Sequence, residues 1–86
     1  MHEFSLMADL FRKIEDLARE QKAERIVGVN VRLGALSHIS PDHFREHFVQ
    51  GAKGTRMEGA NLDIRTSIDA LDPRAQDILL ESIEVA

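Results

Sequence analysis

Apolar side chains recur at Met7, Leu10, Phe11, Ile14, Leu17 and Ala18, the spacing that gives a helix a single apolar stripe. The pattern predicts an amphipathic helix from Ser5 to about Lys22, with Ser5 as N-cap and Asp9 near the positive end of the helix dipole. Its solvated face carries Arg12, Lys13, Glu15, Asp16, Arg19 and Glu20. Beyond Ala23-Glu24 the period falls to about 2: Val27, Val29, Val31 and Leu33 lie on one side, and Gly28, Asn30 and Arg32 on the other. That alternation predicts a strand with one buried face, followed by a loop from Gly34 to Ile39. Ser40-Pro41 then starts a second helix, because the hydroxyl can cap free N–H groups and proline lacks an N–H where none is needed. This helix is expected to run to about Gln50, with Phe44 and Phe48 facing the core and Gly51 and Gly54 as stopping points. Leu62, Ile64, Thr66 and Ile68 alternate in a second strand, Asp72-Pro73 marks a turn, and Ile78 to Val85 form a third strand.

The order α-β-α-β-β predicts an α+β fold, a small three-stranded sheet with two helices packed on one face. The last two strands are expected to pair as an antiparallel hairpin. The strand-helix-strand unit would be parallel and right-handed if its strands are adjacent, and the strand order stays open. So short a sheet leaves edges that can pair with a second copy, giving a homodimer, or with a partner's extended segment.

With 86 residues and 43% hydrophobic content, residues 1–86 are expected to form one domain around one core. The chain has no cysteine, which removes disulfides, thiolate catalysis and every cysteine-based zinc or iron–sulfur site. Its net charge of −4 comes from interspersed acids and bases, and it has four Phe but neither Trp nor Tyr. Nucleic acid is therefore not an expected partner, since it needs a basic face and stacking surface. Nor is a membrane: no apolar run approaches a span and no basic, signal-like amino terminus precedes Glu3, so a cytoplasmic location is expected. No glycine-rich phosphate loop and no nucleophile beside a base can be found, so an enzyme is not expected.

The chemistry that does stand out is at Met1-His2-Glu3. An α-amine with a pKa of about 7.7–8.0 can give up its proton to a metal at neutral pH, and imidazole is a good ligand for Ni(II), Cu(II) or Zn(II). The amine, the deprotonated amide of His2 and its ring supply three nitrogens in a plane, a set that favours square-planar Ni(II) or Cu(II) and leaves one position open. A bulky second residue is expected to protect Met1 from removal, so the amine would be its own. His38, in the loop before the second helix, is a candidate fourth ligand. His43 and His47 share a helix face at i, i+4, a spacing that can hold one metal, but their neighbours Phe44 and Phe48 also favour plain packing of His47 at the core edge.

Several segments carry a resemblance: Met1 to Leu6, Val29 to Ser37, the helix start Pro41 to Phe48, the strand start Gly59 to Ile64, and the ending Leu79 to Val85. In this order they resemble the HypA/HybF nickel metallochaperones of hydrogenase and urease maturation. The resemblance implies that Met1, His2 and Glu3 hold Ni(II) transiently. It implies as partners a hydrogenase large subunit or another nickel enzyme, with a GTPase as maturation partner. Family members carry a zinc module built on two CxxC pairs between the last two strands. Here that place holds only residues 69 to about 77, so no zinc is expected. Ser40 stands where some members have an acidic residue linked to nickel. Two readings follow: a metal-delivery protein, or a binding and assembly module that keeps the fold without carrying metal.

Overall fold

The computed structural model describes residues 2–86, with side chains described from Leu6 onward. Two helices, α1 (His2–Glu20) and α2 (Pro41–Ala52), and three strands, β1 (Ile26–Leu33), β2 (Asn61–Thr66) and β3 (Ile78–Val85), follow one another in the order α1-β1-α2-β2-β3. The sheet order is β2-β1-β3, with β1 parallel to β2 and antiparallel to β3. The expected β2/β3 hairpin is therefore replaced by a mixed sheet with β1 at its centre. The physical reason lies in burial: β1 has the most apolar inward face, Val29, Val31 and Leu33, and only the central position lets both neighbours and both helices cover it.

α1 packs against β3 and α2 against β2. Met7, Leu10, Ile14 and Ala18 of α1 meet Phe44, Phe48 and Ala52 of α2 over Ile26, Val29, Val31, Leu33, Leu62 and Ile78. Burying each phenylalanine contributes about 1.5–3 kcal/mol. The Phe11 ring lies 5.4 Å from that of Phe48 and sits over Gly51, where an added Cβ would fall 2.5 Å from it. Gly51 thus lies inside α2 as a place of close approach and does not stop the helix, which runs on to Ala52 before Gly54 turns the chain at φ 78°.

Three other expectations shift. α1 begins at His2, so Ser5 is an interior helical residue and not its cap. Val27 is 47% exposed, because Ile26 pairs with Val85 and Gly28 with Glu84, leaving Val27 as the extra residue of a β-bulge and turning Ile26 inward instead. Ile68 is 96% exposed, since β2 ends at Thr66 and the chain leaves the sheet there.

The topology sorts the loops into two groups. Both helices run antiparallel to β1, α1 because a short link joins it to β1, α2 because it is the crossover between parallel strands. One end of the layer therefore gathers the helix C-termini, residues 21–25 and residues 53–60. The other gathers both helix N-termini, the 34–40 loop and residues 67–77. No described helix is long and apolar enough to cross a membrane.

Candidate metal centre

Met1 and the side chains of His2 and Glu3, the predicted ligands, lie outside the described residues. What the fold supplies is their setting. α1 starts at His2, and the first four N–H groups of a helix have no intrahelical acceptor, so a backbone nitrogen here can bind metal without breaking the helical ladder. The same end of the layer holds the loop with His38 and the N-terminus of α2.

His38 is exposed and adopts φ 60°, a left-handed conformation that histidine enters more readily than most residues. The Ser40 hydroxyl accepts a hydrogen bond from the His43 N–H at 3.1 Å, with extended backbone at φ −76°, ψ 153°. Ser40 is thus a helix cap, as its place before Pro41 predicts, and its oxygen is committed to that role.

On α2 the rings of His43 and His47 lie 4.5 Å apart between centroids, tilted by 40°. His43 is exposed, and His47 is half-buried. A shallow groove along this helix is lined by Asp42, Arg45, Glu46, His47, Val49 and Gln50. Arg45, the one basic residue of α2, donates to the Leu62 carbonyl at 3.1 Å and so turns toward β2. Among the described residues, no three His, Asp or Glu side chains converge as a metal-binding group.

Several carboxylates are taken up by arginines. Asp9 pairs with Arg12, Asp16 with Arg19, Asp77 with Arg74, and Glu15 with Arg56 at 3.1 Å. One feature here was not read from the sequence. Gly34 N–H donates to the Asp77 carbonyl at 3.0 Å and Leu36 N–H to that of Ala75 at 2.7 Å, so residues 75–77 are zipped to the loop that leads to α2. Ala75 is buried, and a Cβ on Gly34 would fall 2.1 Å from the Ala75 oxygen. The glycine directly after β1 is the only sequence signal of this close approach.

A mixed three-stranded sheet under two helices is a fold shared with a solved protein. The solution structure of the Ni metallochaperone HypA from Helicobacter pylori superposes with a TM-score of 0.80, covering 99% of this chain and 97% of that one at 22% identity, a likeness of fold. Residues 1–71 match the family described as "Hydrogenase/urease nickel incorporation, metallochaperone, hypA", and the chain belongs to that family. It is similar to the hydrogenase maturation factor HypA of Methylocella silvestris, with 42% identity over 64 residues, 74% of this chain and 57% of that protein. The protein of the same name from Archaeoglobus fulgidus is 36% identical over 74 residues, 86% of this chain and 66% of that one. The chain thus spans little more than half to two thirds of the length of these relatives.

Proposed function

We propose that the chain is a nickel-binding accessory protein, metallochaperone-like, that serves the maturation of a nickel enzyme such as a nickel–iron hydrogenase. The observation that carries this reading is the family match over residues 1–71, which includes Met1-His2-Glu3. Nickel here is cargo. The Met1 amine, the His2 amide and the His2 ring take three positions around Ni(II), and Glu3 adds its backbone or carboxylate. His38 reaches the same end of the layer and is the candidate for the remaining position. A site on a terminal segment with an open position suits handing the metal on, because an incoming ligand from the receiving protein can enter before the others leave. The receiving protein is a hydrogenase large subunit or another nickel enzyme, with a GTPase as maturation partner, docked on α1 or on an exposed edge of β2 or β3.

Residues 69–77 stand where relatives of the resembling kind carry a zinc module, and without cysteine no thiolate zinc site can form. The whole of 1–86 then acts as one nickel-binding module. The zip between residues 34–36 and 75–77 supports this, since it makes the short connection a packed part of the fold.

The second reading, a docking or dimerising module that carries no metal, draws on the Ser40 oxygen being used as a cap. Nickel titration of the untagged chain by calorimetry, with absorption spectra, separates the two. Stoichiometric binding with the yellow band of square-planar Ni(II), lost in His2→Ala or when the amine is blocked, supports delivery. A square-planar band that survives His2→Ala, or none in the parent, overturns it and leaves the docking module.

A further inference from the structure

We propose that the outer edge of β2 pairs antiparallel with the same edge of a second copy of the chain, about a two-fold axis at Ile64, joining two three-stranded sheets into one. This does not depend on nickel binding. β2 closes one side of the sheet and has a neighbour, β1, on its inner side alone. Ser67 N–H donates to the Leu33 carbonyl of β1, and backbone polar groups alternate in direction along a strand. Asn61, Asp63 and Arg65 therefore turn their N–H and C=O toward β1, whereas Leu62, Ile64 and Thr66 turn theirs outward. The Arg45 guanidinium, donating to the Leu62 carbonyl at 3.1 Å, agrees with that direction. The outward N–H groups of Leu62, Ile64 and Thr66 are a template for another strand.

Charge selects the partner. With Ile64 opposite Ile64 of the second copy, Asp63 falls opposite the other Arg65, and Arg65 opposite the other Asp63. Such residues lie between hydrogen-bonded pairs, where Cα atoms approach to about 4.5 Å and side chains meet. Both are exposed, on the face opposite to buried Leu62, and neither side chain has an ion pair within the chain among the described residues. Leu62 and Thr66 meet across the same axis. The Leu62 oxygen has two lone pairs, so it can accept from Thr66 N–H and keep Arg45. β3 offers no such match, since Glu81 and Glu84 are its only charged residues and a copy of itself brings only more acid. Val49 adds apolar area: it stands one turn beyond Arg45 on the side of α2 that reaches β2, and it is 51% exposed. The axis is perpendicular to the sheet, so both helix layers stay on one side and the contact closes on itself. Pairing takes up β2 and leaves α1 and β3 for a receiving protein.

The test is sedimentation velocity of the untagged full chain over a range of micromolar concentrations, in five forms: parent, Thr66→Pro, Asp63→Arg, Arg65→Asp, and Asp63→Arg with Arg65→Asp. Thr66→Pro removes an outward N–H and spares the ladder to β1, a place where an edge strand tolerates proline. Circular dichroism checks that each form is folded. The parent is expected to show a reversible monomer–dimer equilibrium. Each single charge reversal should weaken it by about tenfold or more, because both symmetric pairs become like-charged. The double reversal should restore it to within about threefold of the parent, the mark of a direct pair. Thr66→Pro should weaken it as well; if that variant does not fold, the charge series decides alone. A dimer that ignores Thr66→Pro, single reversals without effect, or reversals that the double form does not rescue would each overturn this pairing. So would a monomeric parent, which leaves the β2 edge to an extended segment of another protein.

Discussion

The two ends of the layer are fastened differently. At the end that holds the helix C-termini, arginines reach across the chain. Arg56 pairs with Glu15 and donates to the Ala23 carbonyl, Arg25 donates to the Glu58 carbonyl at 2.8 Å, and Ile26 N–H donates to the Arg56 carbonyl at 3.0 Å. Residues much farther apart in sequence than either helix is long are stitched together there. The opposite end relies on backbone: Gly34 to Asp77, Leu36 to Ala75, and Ser67 N–H to the Leu33 carbonyl at 2.9 Å. Beyond that zip, Ile68 and Leu71 are 96% and 93% exposed. Long polar side chains thus lock one end of the layer, and backbone hydrogen bonds hold the other.

The contrast can be tested by substitution. Phe44→Ala removes a ring buried between both helices and should destabilise the fold by about 3–5 kcal/mol, lowering both ends together in a denaturant titration. Gly34→Val drives a side chain into the Ala75 carbonyl and should cost about 1–3 kcal/mol. Its mark in amide hydrogen exchange should be confined to residues 34–36 and 75–77. Arg56→Met keeps the aliphatic stem but loses the contacts to Glu15 and Ala23; a loss of about 1–2 kcal/mol is expected, with faster exchange at Ile26 and not at Gly34. Ile68→Ser with Leu71→Ser should change stability by no more than about 0.5 kcal/mol. A larger fall would mean that the apolar side chains of this segment are covered in solution, and the contrast between the ends would have to be redrawn.

Much of this organisation was legible in residue order. The stripe from Met7 to Ala18, the Ser40-Pro41 start, the Phe44/Phe48 pair and the span Ile78–Val85 all appear where local pattern puts them, because each is decided within one element. The failures have another origin. Val27 keeps the alternation in sequence, yet a bulge against β3 turns it outward, and only the pairing partner reveals a bulge. The place of β1 between β2 and β3 is likewise settled by which face must be covered on both sides, a tertiary matter. Met57 and Ala75 join the buried residues from segments without periodicity, so no pattern announced them. At the candidate site, the i, i+4 spacing of His43 and His47 could be read directly. That both helix N-termini share one end of the layer could not, because it depends on β1 running parallel to β2.

Leu33 is paired on one side with Thr66 and on the other with Ile78. The two chain ends that border the 67–77 segment are therefore held about two strand spacings apart, roughly 10 Å, by a residue belonging to neither. With residues 75–77 zipped to the 34–36 loop, only residues 68–74 are left to bridge that gap, and extra length inserted among them should leave the register of the sheet unaltered.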